Sequence, residues 1–181
     1  MQPNGLARNR VPHGALAIVY PDDTSPLSDQ LPDDQIAQDR LTLQPVLDSL
    51  KTAGYYAYGM LDETNRWTIA ADDELGRIDV RVGEDGFEVV LQMSSPGLYA
   101  DEENPYKQSS RSRLARIAIP RIARGFLEPH QTARWDDVDQ GVAVTEHYEL
   151  PFARGGDVGE FVRQQHPQLE QILTLVEQQL D

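Results

Sequence analysis

Apolar residues recur along the chain with two different periods, and the switches between them mark the elements. Leu43, Val46, Leu47, Leu50 and Ala53 recur at helical spacing, which predicts a first helix over residues 42–53. Thr42 is its expected cap and Gly54 its stop, because a left-handed terminal position prefers glycine. Pro45 then falls in the first turn, where no intrahelical donor is lost. Three period-two runs follow. Trp67, Ile69 and Ala71 alternate with Thr68 and Ala70; Ile78, Val80 and Val82 with Asp79 and Arg81; Phe87, Val89, Leu91 and Met93 with Glu88, Val90 and Gln92. Each run predicts a strand with one buried and one wetter face. Gly83-Glu84-Asp85-Gly86 predicts a tight hairpin with glycines at positive φ, so an antiparallel meander is the simplest topology.

Residues 94–108 are polar and predict a loop of a length that is often functional or mobile. A second helix is expected over residues 109–127, with Ala115, Ala118, Ile119, Ile122 and Phe126 on one face and a kink or break at Pro120. A second hairpin pairs residues 133–138 with 142–150, turning at Asp139-Gln140-Gly141, with Val142, Val144 and Tyr148 on one face. The last helix covers residues 157–180, capped by Asp157 and split by Pro167; its stripe is Phe161, Leu169, Ile172, Leu173, Val176 and Leu180. The order α-β-β-β-α-β-β-α lacks strict strand-helix alternation, so the fold class is α+β, an antiparallel sheet flanked by helices.

Residues 1–40 differ from the rest. Five prolines alternate there with Asp22, Asp23, Asp29, Asp33 and Asp34, a composition that disfavours a packed core. They are expected to form an irregular extension, with an edge strand possible at residues 15–20, ahead of a single domain over residues 41–181. A chain of 181 residues can bury a core without staples, and the absence of cysteine excludes disulfides, thiolate zinc sites and a cysteine nucleophile. No apolar run approaches the ~20 residues needed to span a bilayer, and none near the start has the make-up of a signal peptide. A soluble, cytoplasmic protein is expected. Thirty acidic residues against sixteen basic ones give a formal charge of -14. Such a field repels phosphate backbones and anionic lipid, so nucleic acid and membrane are poor partners, and basic or neutral polypeptides good ones.

Certain local features share a likeness: the helix end Ala53-Gly54-Tyr55, the meander segments Ile78-x-Val80-x-Val82 and Phe87-x-Val89-x-Leu91, the hairpin end Tyr148-Glu149-Leu150-Pro151, the turn Gly155-Gly156 and the amphipathic last helix. Over residues 42–181 this order resembles the type III secretion chaperone-like fold and, within it, the YbjN-like proteins. The resemblance implies a homodimeric, non-enzymatic protein that holds an extended polypeptide partner.

The chain contains no glycine-rich phosphate loop, G-x-S-x-G elbow or H-E-x-x-H pair. His13, His130, His147 and His166 are scattered, so no metal site is expected. His147 and Glu149 share a strand face, which leaves an acid–base pair open. Asp136, Asp137 and Asp139 beside Gly141 fit a hairpin turn better than a calcium loop. Neither a catalytic residue nor a cofactor is expected. The strongest local anomaly is basic: Lys107, Arg111, Arg113, Arg116, Arg121 and Arg124 occur with no acid among residues 104–127. Arg113, Arg116, Arg121 and Arg124 fall opposite the Ala115/Ile119/Ile122 face, and Leu114 and Ile117 lie beside them. These six, with Tyr99 and Tyr106 of the adjoining loop, form the candidate partner-binding set. Three readings compete: a polypeptide-binding chaperone-like or adaptor protein, a regulatory domain binding a small molecule or anion on the arginine face, and a hydrolase with an unfamiliar carboxylate site. The arginines could also serve only as ion-pair partners within an acidic protein.

Overall fold

The computed structural model describes residues 33–73 and 76–180. The strand expected at residues 15–20 lies outside them. The elements are α1 (Asp33–Thr52), β1 (Tyr56–Leu61), β2 (Trp67–Asp72), β3 (Gly76–Val82), β4 (Gly86–Ser95), α2 (Pro105–Ala123), β5 (Gln131–Asp136), β6 (Gly141–Pro151), a 3-10 turn (Phe152–Asp157) and α3 (Val158–Gln178). The strands form one six-stranded antiparallel sheet in the order β1-β2-β3-β4-β6-β5. All three helices cover the same face. α1 packs on β1 to β3, α3 on β4 and β6, and α2 on β5.

The expected alternation sets the core. Ile69, Ala71, Ile78, Val80, Phe87, Val89, Leu91 and Met93 point under the helices, where Leu43, Val46 and Leu50 of α1 meet Val162, Leu169 and Val176 of α3. The meander has four strands rather than the expected three. β1 was not marked by the pattern because Tyr56-Ala57-Tyr58-Gly59-Met60-Leu61 does not alternate in hydropathy; as an edge strand it buries only Ala57. Gly59 gives way to the Trp67 ring across the pair, where a Cβ would lie 2.3 Å from Cζ2.

Several boundaries move. α1 begins at Asp33, so the expected domain boundary at residue 40 falls inside it, and Thr42 is an interior residue whose hydroxyl bonds back to Gln38 O at 3.0 Å. Pro45 is likewise interior. The carbonyl it leaves without an amide belongs to Leu41, which is exposed to water. Gly54 does take the left-handed position, at φ 98°. Gly83 and Gly86 do not have positive φ; what fixes Gly86 is close approach, since a Cβ would stand 2.3 Å from Leu150 O. In the β5–β6 turn Gln140 rather than Gly141 is left-handed, at φ 53°.

α2 starts earlier than expected, at Pro105, where the Asn104 side chain accepts from the Tyr106 and Lys107 amides. It ends at Ala123, soon after Pro120. Phe126 therefore lies beyond the helix and is exposed, and Ile122 is only half-buried. Pro167 does not split α3, which is continuous from Val158, and Asp157 makes no side-chain cap. The loop between β4 and α2 shortens to residues 96–104. Gly97 and Leu98 donate to Asp139 O and Gln140 O at 2.8 and 3.1 Å, so the loop is pinned to the β5–β6 turn.

Candidate functional site

α2 buries a narrow line of small residues, Ser112, Ala115, Ile119 and Ala123, against β5. Its outward side carries larger apolar groups. Leu114 is 67% exposed, Ile117 54% and Tyr106 86%. At about 100° per residue these three share an arc of about 100° with Arg113, Arg121 and Arg124, and all three arginines are exposed. The helix thus presents a stripe in which apolar side chains alternate with cations, with no acid anywhere from residue 104 to 127.

The basic block divides in two. Arg111 lies 3.8 Å from the Glu102 carboxylate and over the Tyr99 ring at 5.7 Å, and Tyr99 itself stacks on Trp135 at 5.8 Å. Arg116 is hydrogen-bonded to Asp137 of the β5–β6 turn. These two arginines and Tyr99 tie α2 to its flanking loops, as the ion-pair reading anticipates. Arg113, Arg121 and Arg124 make no ion pair among the described residues. Of the eight residues expected to meet a partner, the structure brings Tyr106, Arg113, Leu114, Ile117, Arg121 and Arg124 onto one surface and assigns Arg116 and Tyr99 to internal contacts. Next to the stripe, Pro105, Gln108, Ser109, Ser112, Arg113, Arg116 and Gln140 line a cavity of 460 Å³.

A second polar constellation lies beneath the helices, around β6. Glu146 of β6 is fully buried and points under the helices. Gln131 Nε2 donates to its Oε1 at 2.7 Å, and the Tyr148 hydroxyl donates to its Oε2 at 3.0 Å; that hydroxyl also lies 3.2 Å from the Gln165 amide of α3. Burial, then the hydrogen bond to Glu146 and its charge, push the Tyr148 phenol well above its ordinary value. The Tyr148 ring packs against His130 at 5.0 Å and against Phe161 at 4.9 Å. The signal was present: Glu146 has the same strand parity as Val142, Val144 and Tyr148 and had to share their face.

The sheet face away from the helices holds a groove of 1080 Å³. Its floor is ionic. Arg77 Nε lies 3.0 Å from both Asp79 oxygens, Arg81 pairs with Glu88, and Val90 and Met60 supply the apolar contribution. Glu149 and His147 line it together, as alternation requires. His130 and His166 lie elsewhere, the latter 3.3 Å from Asp73. Among the described residues no group of three or more His, Cys, Asp or Glu side chains is placed to hold a metal ion. Asp136 serves as a turn residue, accepting from the Val138 and Asp139 amides at 2.9 and 3.4 Å. No helix of the described residues is long and apolar enough to cross a membrane.

Comparison with protein-family models, with curated proteins and with solved structures returned no match.

Proposed function

We propose that the protein is a non-enzymatic, chaperone-like or adaptor protein that holds an acidic polypeptide segment on the outward stripe of α2. The observation that carries this reading is the exposure of Leu114 and Ile117 among Arg113, Arg121 and Arg124, which have no acidic partner among the described residues. Aromatic, apolar and arginine side chains together match the composition of protein interfaces. The cations set the charge of the occupant, and the apolar groups require it to carry side chains that can be buried. The likeness of residues 42–181 to type III secretion chaperone-like and YbjN-like proteins supports the same reading and adds self-association as a homodimer. A symmetric α2-to-α2 contact would set arginines against arginines, so the dimer is expected to use another face.

A fluorescent peptide of alternating glutamate and leucine tests the stripe, with a lysine–leucine peptide as control. The acidic peptide should bind and the basic one should not. Arg113→Glu with Arg121→Glu should weaken acidic-peptide binding and flatten its salt dependence. Equal binding of both peptides, or indifference to the charge reversal, overturns the reading. Light scattering that gives the monomer mass across micromolar concentrations removes the homodimer.

A second reading, a small-anion site, is favoured by the 460 Å³ cavity that Arg113, Arg116 and two serines line. Saturable binding of inorganic phosphate that is lost in Arg116→Ala would support it.

A further inference from the structure

We infer that the acidic stretch before α1, residues 20–32, is itself a ligand of the α2 stripe, so that the chain occupies its own recognition surface until a competing polypeptide displaces it. This rests on the reading of that stripe as a site for acidic polypeptide.

The charge pattern motivates it. Residues 14–39 hold Asp22, Asp23, Asp29, Asp33, Asp34 and Asp39 with no lysine or arginine, whereas residues 104–127 hold six lysines and arginines with no acid. These two blocks are complementary in sign. They are complementary in apolar content as well: Tyr20, Leu27 and Leu31 punctuate the acidic block, as Tyr106, Leu114 and Ile117 punctuate the basic one. Charge alone would suit many partners, but the two patterns together specify a segment of this kind.

Reach and entropy allow the contact within one chain. The stretch is tethered where α1 begins, at Asp33. α1 packs on β1 to β3 and α2 on β5, which stands four places from β2 in the sheet. Four strand spacings amount to about 19 Å, and thirteen extended residues reach about 40 Å. A tether this short holds its segment at an effective concentration on the order of millimolar, so modest affinity suffices.

The chain has no native cysteine, so a nitroxide can be placed uniquely by Ser28→Cys in the full-length protein. Amide resonances of the outward side of α2, at Ser110, Arg113, Ile117 and Arg121, should broaden. The broadening should vanish at about 0.5 M salt, where the screening length falls to a few Å, and in Arg113→Glu with Arg121→Glu. It should persist when labelled chains are diluted with unlabelled ones. Independently, neutralising the stretch by Asp22→Asn, Asp23→Asn and Asp29→Asn with Leu27→Ser and Leu31→Ser should tighten binding of the glutamate–leucine peptide about tenfold or more, the competition expected of a tethered ligand. If that peptide binds both forms equally and α2 does not broaden, the inference is wrong while the stripe remains a binding surface. If the peptide binds neither form, the stripe itself fails. If broadening disappears on dilution with unlabelled chains, the contact is between copies, and the intramolecular arrangement is overturned.

Discussion

The helices that cover the sheet are buried to different depths: α3, over β4 and β6, is sunk in the core, and α2, at the β5 edge, is not. α3 places Val158, Val162, Leu169, Ile172, Leu173 and Val176 in the core and draws its backbone onto α1, where the Gly159 amide donates to Ser49 Oγ at 2.9 Å. α2 buries two alanines, a serine and one isoleucine, and leaves Leu114 and Ile117 in water. The row of the sheet at Ser95, Val142 and Trp135 also contains Ser95 Oγ and Trp135 Nε1, both buried without a hydrogen-bond partner among the described residues. One half of the molecule is committed to stability. The other keeps apolar and cationic groups outside the core, where they can act on something else.

The largest expected contrast follows directly. Leu169→Ala, in the α1–α3 half, should cost about 2–5 kcal/mol. Leu114→Ala, on the stripe, should stay within about 0.5 kcal/mol and yet weaken binding of the acidic peptide. Urea midpoints and peptide titration measure the two. Equal destabilisation would mean that α2 is as deeply invested as α3, and the comparison would collapse.

A sharper probe of the α1–α3 seam is Gly159→Ala. The new Cβ would stand 2.4 Å from Ser49 O and 2.8 Å from Ala53 Cβ, so the helices must separate. A loss of about 1–3 kcal/mol is expected. Gly156→Ala, where nothing lies within 4 Å, should be nearly neutral in the same assay.

Between the two halves sits Glu146, held by Gln131 from β5 and Tyr148 from β6. Tyr148→Phe removes one donor from a buried carboxylate and should cost about 1–2 kcal/mol in thermal or urea unfolding. The pH dependence has a definite sign. The folded-state value of Tyr148 is raised, so its contribution is complete below the unfolded value of about 10 and is lost as pH rises through the folded value. Alkaline unfolding should therefore be steeper in the wild type than in the variant.

Much of this contrast was legible in the sequence, for a physical reason. Strand alternation at Ile78, Val80, Phe87, Val89 and Leu91, and the stripe of α3, report burial directly, because every second or every third and fourth residue meets the same environment. The exposure of Leu114 and Ile117 beside the arginines could be read from the helical period alone. β1 was not legible, because an edge strand with Gly59 facing Trp67 has no buried row of its own. The starts of α1 and α2 were not legible because their first turns carry no apolar row: residues 33–41 are exposed apart from Asp39 and the half-buried Ile36, and residues 105–107 are exposed and held by the Asn104 cap. Likewise, no sequence pattern says which arginine meets an acid. Arg116 and Arg113 are three residues apart, and only the arrival of the β5–β6 turn with Asp137 separates their roles.

The smallest effect compares the two edges of the sheet. Each edge hairpin is closed by an aspartate that gathers backbone amides. In the β1–β2 turn, Asp62 Oδ1 accepts from the Thr64 amide at 2.8 Å, the Thr64 hydroxyl at 2.7 Å and the Arg66 amide at 2.9 Å. Asp136 does the same for Val138 and Asp139, with Arg134 at 3.0 Å. Burial alone would raise both carboxyls, but these donors and the neighbouring arginines outweigh it and hold both below the usual range. A depressed folded value means that the contribution is present above the unfolded value of about 4 and is lost as pH falls through the folded one. Asp62→Asn keeps an acceptor, so at neutral pH it should cost less than about 1 kcal/mol, the size of a weakened cap. Its urea midpoint should then fall less between pH 5 and pH 2 than that of the wild type (a span of about three units around the carboxylate range). Asp136→Asn should show the same flattening and, in addition, release Arg134. If Asp136→Asn alone changes acidic-peptide binding, the turn beside α2 helps to shape the stripe. If neither or both variants change it, the two edges are equivalent closures and recognition belongs to α2 alone.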